Sequence, residues 1–139
     1  MSDAAPFDLI PLATVRVTRG EIHRMGETPF HRRVVGGISQ GRWEGERLRG
    51  DIVAPGGDWA IPTDGSIMLL DVRQMIRTDD DALVYVSYQG RCDRERGTYT
   101  VAPTFETADP RYAWLNGIQA VGQGRNEGDT IVYEMFEVR

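Results

Sequence analysis

Residues 67–88 read IMLLDVRQMIRTDDDALVYVSY, two strand-like runs joined by a short acidic turn. In a strand, successive side chains alternate between two faces. The first run therefore has one apolar face, formed by Met68, Leu70, Val72 and Ile76. Its other face carries an acid and a base two residues apart, Asp71 and Arg73. The turn predicts a β-hairpin with Asp81 in the left-handed conformation, which aspartate tolerates better than most residues.

Similar short runs, separated by glycine, proline or charged residues, follow one another along the whole chain. The predicted strands are 9–18, 31–43, 47–54, 67–78, 82–88, 98–107, 118–124 and 130–138. Between them, 19–29 and 90–97 are predicted to be connections, and Pro55 with the two following glycines to break the third strand. Asp109 and Pro110 have the N-cap and first-position character of a short helical turn near residues 110–115.

This pattern is typical of an all-β protein. We predict a single antiparallel β-barrel of about eight strands, because consecutive hairpins close most simply in that way. The barrel is expected to form one domain over residues 1–139, with a loose N-terminus at 1–8.

The composition argues against several kinds of binding surface, reaction and metal site. The net charge is −5, so no basic nucleic-acid surface is expected. There is no lysine for Schiff-base chemistry, and the single cysteine, Cys92, allows neither an internal disulfide nor a cysteine-based zinc site. His23 and His31 lack ligand spacing, so no metal and no cofactor is expected. Without a signal peptide or membrane-length apolar run, we expect a cytoplasmic protein with no membrane partner.

The last strand-like run, TIVYEMFEV at 130–138, is apolar on both faces. A monomeric barrel in water should present polar residues outside, so this pattern favours a homodimer or a covering segment. A homodimer is the prediction.

Several phrases together resemble a known family: GGISQGRWEGERLRGDIVAPGGDW, LDVRQMIRTDDDALVYVSYQG, PTFETADPRYAWLNGIQAVGQG and VYEMFEV. The chain resembles domain of unknown function family 3237, also called uncharacterised protein family 0311, from about Leu9 to Val138. The resemblance implies an antiparallel β-barrel and no assigned activity. The residues that match the family pattern are Gly57, Asp58, Trp59, Asp71, Arg73, Thr78, Asp79, Asp80, Phe105, Glu106, Tyr112, Trp114, Leu115, Asn116 and Gly122. Asp81 stands where the family usually has glycine, and the basic residues usual near Val101 and Thr104 are missing.

Asp71 and Arg73 are the first candidates for a site. If they line the barrel interior, Arg73 can hold a carboxylate, phenolate or enolate oxygen while Asp71 acts as general acid or base. The alternative is a structural ion pair on a solvated face. Asp58 and Trp59 follow a Gly-Gly turn, where Asp58 would add a second catalytic carboxylate and Trp59 would stack on a flat ligand. Equally, they form a turn with an aromatic plug.

A third group surrounds the short helical turn. Tyr112, Trp114 and Asn116 could cover the mouth of the cavity, with Asn116 as a polar donor, or form a hydrophobic cap. Phe105 is assigned to the ligand-binding wall, with packing in the core as the alternative.

These residues predict a cofactor-independent acid/base enzyme, a lyase, isomerase or cyclase. Its substrate would be a small aromatic or unsaturated oxygenated compound held in the barrel cavity. Two alternatives remain: a non-catalytic barrel that binds a small organic ligand, and a structural dimeric barrel.

Overall fold

The computed structural model describes residues 5–139, so residues 1–4 of the predicted loose N-terminus lie outside the described part. The described chain forms nine strands and one 3-10 helix, Pro110–Gly117. The strands are β1 Leu9–Glu27, β2 Arg32–Glu44, β3 Arg49–Pro62, β4 Ile67–Thr78, β5 Leu83–Asp93, β6 Thr98–Val101, β7 Thr104–Glu106, β8 Gln119–Glu127 and β9 Thr130–Val138.

The strands close into one antiparallel barrel. Their order is β4-β3-β2-β1-β9-β8-β6-β5-β7, and the pairing of β4 with β5 joins the two ends. β6 pairs with the end of β5 at Gly90–Asp93, and β7 with its earlier part at Tyr85–Ser87. β6 and β7 therefore act as one interrupted strand, and the predicted eight-stranded antiparallel β-barrel is confirmed.

Four strands are longer than predicted, among them β8, which continues to Glu127. β1 continues to Glu27 through the expected connection at 19–29, β3 passes Pro55 to reach Pro62, and β5 continues to Asp93. The chain absorbs its glycines and Pro55 by shifts of register, between Val53 and Gly57 in β3 for example, instead of ending the strand. The predicted charged loop at 90–97 thus starts only after Asp93.

The interior of the barrel receives the apolar face of β4. Leu70, Val72 and Ile76 are buried, and so is Gln74, which shares their face. Tyr88 faces the same interior from β5. The interior is packed most densely around residues that are almost fully enclosed, namely Trp43, Leu48, Ile76, Leu115 and Met135.

The 3-10 helix covers the end of the barrel beside the β4–β5 turn. Asp109 caps it by accepting the N–H of Arg111, and Pro110 occupies its first turn, as predicted. Asp81 in the β4–β5 turn has a φ of 70°, the predicted left-handed conformation. Leu115 anchors the helix in the core.

The homodimer remains a prediction. On β9, Val132, Tyr133 and Met135 are buried in the single chain, while Phe136 and Val138 are partly covered.

Candidate functional site

A cavity of about 260 Å³ occupies the barrel interior at the end away from the 3-10 helix. Its walls include apolar side chains from five strands, Val17, Ile22, Val34, Ile38, Ala60, Met68, Val72 and Ile131. Its polar lining consists of Asp58, Tyr88, Tyr99, Tyr133, Arg19, Arg24 and Arg94. An apolar cavity with few convergent polar groups is the usual form of a small-molecule site.

Glycines on adjacent strands create this space. Gly36 and Gly37 in β2 pair with Asp58 and Gly57 in β3, so three of these four positions contribute no side chain to the cavity. A Cβ atom added at Gly36 would meet nothing within 4 Å. The cavity is therefore open where larger residues would have filled the barrel.

Asp58 is the only carboxyl group in the cavity lining formed by residues 5–139. It pairs with Val72 across β3 and β4, and its Oδ1 accepts the backbone N–H of Asp71 at 3.0 Å. Burial raises the pKa of the Asp58 carboxyl above its ordinary value, the N–H of Asp71 opposes that rise, and the Asp71 carboxylate adds to it. A carboxyl whose pKa is raised by partial burial is a candidate for proton transfer.

Tyr88 lies in the same row of the barrel, opposite Val72. Its orientation depends on Gln74 and Trp43. The indole N–H of Trp43 can only donate, and it donates to Oε1 of Gln74 at 3.0 Å. This orients the amide so that Nε2 of Gln74 donates to the Tyr88 hydroxyl at 3.1 Å. Since the Tyr88 oxygen accepts there, its own proton is available to a group in the cavity.

Two further tyrosines extend this polar row. The Tyr133 ring centre lies 6.0 Å from that of Tyr88 and 6.1 Å from that of Tyr99, both edge to face. Burial raises the pKa of Tyr88 and of Tyr133, and the charge of Asp58 raises both further. Both tyrosines are therefore neutral hydrogen-bond donors at physiological pH.

An irregularity in β1 adds two arginines to the cavity lining. Arg19 pairs with Ile38 and Ile22 with Gly36, so three residues of β1 span two of β2. Such a bulge changes which side chains face inward, and Arg19, Ile22 and Arg24 all line the cavity. Nη2 of Arg19 donates to the Tyr99 hydroxyl at 2.7 Å and to Oδ1 of Asn126 at 2.6 Å.

The expected interior position of Asp71 and Arg73 is wrong. They lie on the outer face of β4, with side chains 35% and 52% exposed and an N–O separation of 3.9 Å. Trp59 is also outside, with the Arg73 guanidinium 5.4 Å from its ring centre. The physical reason is that the apolar face of β4 is the one buried, which leaves the charged pair to solvent. Of the three expected catalytic residues, only Asp58 faces the cavity.

The expected cover of the cavity is also misplaced. Tyr112 donates its hydroxyl to Asp80 at 2.8 Å, and Asn116 exchanges hydrogen bonds with the backbone of Thr107. These contacts hold the helix against the β4–β5 turn. From Val72 in the cavity wall to Thr78 before that turn, β4 runs about 20 Å. Because the helix closes the opposite end, its residues form a cap.

The two other aromatic candidates also lie away from the cavity. The Trp114 ring lies under the guanidinium of Arg47, 4.8 Å from its carbon. Phe105 packs edge to face on Trp43 at 5.6 Å in the core. Neither lines the cavity.

Sequence reasoning missed most of the polar lining. Arg19, Arg24 and Arg94 were in predicted connections, and the sequence did not single out the three tyrosines as site residues. Along β5, every second residue from Val84 to Tyr88 is buried. This alternation would have placed Tyr88 inside. Cys92 continues this inward row and is buried, although a charged loop was expected there.

Within residues 5–139, no group of three or more His, Cys, Asp or Glu side chains is arranged to hold a metal ion. Among the same residues, no helix has the length and apolarity needed to cross a membrane.

Comparisons with known proteins agree with this fold. Residues 7–138 match the family model described as "Protein of unknown function (DUF3237)". A UPF0311 protein of Rhodopseudomonas palustris (strain TIE-1) is 26% identical over 141 residues, covering 90% of this chain and 92% of the relative.

Two solved structures are similar over the whole chain. A beta-barrel like protein from Acinetobacter baumannii AYE has a TM-score of 0.87 and 27% identity, covering 100% of both chains. An enzyme from Penicillium herquei has a TM-score of 0.73 and 21% identity, covering 100% of this chain and 99% of that one. At that identity the second likeness concerns the fold alone.

Proposed function

The chain belongs to the DUF3237 family of proteins of unknown function, and we propose that it is a cofactor-independent acid/base enzyme. It acts as a lyase, isomerase or cyclase on a small aromatic or unsaturated oxygenated compound bound in the barrel cavity. The observation that carries this proposal is the Asp58 carboxyl, which lines a largely apolar cavity together with the hydroxyl groups of Tyr88 and Tyr133.

Asp58 is the proton-transfer group in this proposal. In its ionised form it removes a proton from a carbon or hydroxyl of the substrate, and in its protonated form it returns a proton to another atom. The raised pKa brings the protonated form closer to the working pH than it is for an ordinary aspartate, which favours this exchange. The hydrogen bond from the N–H of Asp71 fixes one carboxyl oxygen and leaves the other to the cavity.

Tyr88 and Tyr133 stabilise the negative charge that develops on the substrate oxygen. Neutral hydroxyl groups held in a dry site are effective donors to an enolate or phenolate oxygen. Gln74 keeps the Tyr88 hydroxyl in place before the substrate arrives. Proton removal, charge stabilisation and proton return need no other reagent, which suits isomerisation, elimination or ring closure.

A second candidate is a non-catalytic barrel that binds a small organic ligand. It is favoured by the Asp58–Asp71 hydrogen bond, which gives the buried carboxyl a structural role without any chemistry. It predicts that a bound compound is released unchanged.

The test is a one-dimensional proton NMR screen of the protein against small phenolic acids, enones and lactones. Each mixture is read at once and after several hours. The proposal predicts new resonances with the native chain and none with Asp58→Asn. Broadened but unconverted signals would support the binding barrel instead, and conversion that survives in Asp58→Asn would contradict the assigned role of Asp58.

A further inference from the structure

The charge of the cavity differs in sign from that of the protein. The chain has a net charge of −5. The cavity lining nevertheless carries three guanidinium groups, Arg19, Arg24 and Arg94, against the single carboxyl of Asp58. The cavity is therefore a local positive region in an acidic protein.

None of these three arginines has a carboxylate within 4.0 Å among residues 5–139, whereas Arg42 and Arg111 at the outer surface pair with aspartates. Arg19 is held by two neutral oxygens, those of Tyr99 and Asn126. The positive charges of Arg19, Arg24 and Arg94 are therefore not paired with a carboxylate of residues 5–139.

Arg94 is held in a similar way. Its Nη2 donates to the carbonyl oxygen of Gly65 at 2.8 Å, and its Nε to that of Ser66 at 3.3 Å. A guanidinium group has five N–H donors in a fixed plane, so both Arg19 and Arg94 keep donors for a further acceptor. Arg24 has an exposed side chain that lines the cavity and makes no hydrogen bond with residues 5–139.

The cavity has two electrostatically different ends. Asp58 acts on the pKa values of Tyr88 and Tyr133, and both values rise. At Tyr99 burial still raises the pKa, but the Asn126 hydrogen bond and the charge of Arg19 oppose the rise. The row from Tyr88 through Tyr133 to Tyr99 thus leads from the acid to Arg19.

We propose that this site takes an organic acid, with its carboxylate held by Arg24 together with Arg19 and Arg94 and its unsaturated body directed along the tyrosine row toward Asp58. The conversion of this acid rests on the proposed function, whereas the anion site itself requires only binding. Guanidinium groups bind carboxylates through paired, charge-assisted hydrogen bonds. The apolar wall, which includes Ile22, Val34 and Met68, receives the body of the molecule.

Holding the anion at one end also orients the reaction. The negative charge stays away from the half-buried Asp58, where it would oppose ionisation of that carboxyl. The reacting atoms then lie near Asp58 and the hydroxyl groups of Tyr88 and Tyr133.

The test compares organic acids with their uncharged methyl esters at neutral pH. Probes are para-hydroxybenzoate, para-hydroxycinnamate and phenylacetate, each titrated beside its methyl ester by NMR with the native chain. We expect the acid of at least one pair to bind about tenfold more tightly than its ester. Arg24→Gln should remove most of that preference while the affinity for the ester stays the same.

Arg77→Gln is the matched control, because it removes the same charge from an exposed residue that pairs with Asp81. Its acid preference should equal that of the native chain. Equal affinity for acid and ester in every pair, absence of binding by all six probes, or equal losses in Arg24→Gln and Arg77→Gln would each overturn the anion site.

Failure of the enzyme proposal has a different signature. Acid-selective binding without conversion would leave the anion site in place and contradict the proposed catalysis. Conversion of an ester that depends on Asp58, with no preference for the acid, would support catalysis and contradict the anion site.

Discussion

Oδ1 of Asp58 accepts a hydrogen bond from the backbone N–H of Asp71 at 3.0 Å, although the two carboxyl groups lie on opposite faces of the barrel wall. The bond links adjacent strands, so Asp71 affects Asp58 without sharing a site with it. Asp58 faces the cavity, and the Asp71 carboxylate acts on it through the wall by raising its pKa. This relationship separates the group to which we assign proton transfer from the group that adjusts its pKa.

Replacement of Asp58 by asparagine should abolish conversion while preserving the fold. The amide oxygen can still accept the N–H of Asp71, but it cannot take a proton from a substrate. Because the folded-state pKa of Asp58 is raised, its ionisation opposes folding as the pH rises above the ordinary aspartate value. We therefore expect Asp58→Asn to have a higher free energy of unfolding than the native chain at neutral pH. The gain should vanish near pH 3, and urea unfolding at both pH values measures it.

Asp71→Asn should shift the pH dependence of activity. Removing this negative charge lowers the pKa of Asp58, so the acidic limb of the rate profile should move to lower pH. The maximal rate should stay within about threefold, since Asp71 does not line the cavity. Arg73→Gln, a change on the same outer face, serves as a control for surface charge. A profile that does not move would show that Asp71 has no influence on the active carboxyl.

Gly36→Leu should fill the cavity and leave the barrel intact. A Cβ at this position meets no atom within 4 Å, and its side chain would extend into the space beside Asp58. We expect ligand affinity to fall at least about tenfold, measured by titration, with little change in Tm. Gly117→Leu, where a Cβ also meets nothing within 4 Å, is the control at the opposite end of the barrel. Undiminished binding in Gly36→Leu would place the ligand elsewhere.

Gln74→Leu should destabilise the barrel and disturb the site together. It leaves the Trp43 indole N–H without its buried acceptor and removes the donor that holds Tyr88. One unsatisfied buried donor costs about 2 kcal/mol, which urea unfolding can measure. The exposed Gln89→Leu should stay within about 0.5 kcal/mol of the native chain. Equal free energies of unfolding for the two variants would mean that the hydrogen bonds linking Trp43, Gln74 and Tyr88 contribute little to stability.

Glu137 should account for part of the loss of stability in acid. Its side chain is 6% exposed and is bound by Arg139 and Arg47, each at 2.8 Å. The hydrogen bond from Arg139 lowers the pKa of Glu137 most, and the hydrogen bond from Arg47 lowers it further. The stabilisation is therefore present at pH values above the ordinary pKa of glutamate. It is lost as the pH falls through the lowered pKa of Glu137. Glu137→Gln should lower Tm at neutral pH and have much less effect at pH 2, as thermal scans would show; an equal effect at both would contradict this role.

The regular parts of the fold could be predicted from the sequence. The bounds of β4 and β9 agree with the predicted strands because no glycine or proline interrupts either run. β1 and β3 were predicted too short, since their glycines and Pro55 normally mark turns. In the barrel the same residues sit at register shifts, and neighbouring strands keep the chain extended.

The site was harder to predict because it depends on which face of a strand lies inside. The charged face of β4 was assigned to a cavity, whereas burial favours the apolar face with Gln74 included. Only the contacts from Trp43 and Tyr88 make a buried glutamine acceptable there, and those residues come from other strands. Asp58 was found because its position after two glycines marks an unusual segment, which proved to be a strand beside an open cavity.

The most direct measurement is a crystal structure with a compound that the NMR screen has identified. The account predicts the compound inside the barrel, with one of its oxygen or carbon atoms in contact with the Asp58 carboxyl and another oxygen near Tyr88 or Tyr133. A compound bound instead on the outer face of the barrel beside Trp59 and Asp71, with the cavity holding only solvent, would contradict the account.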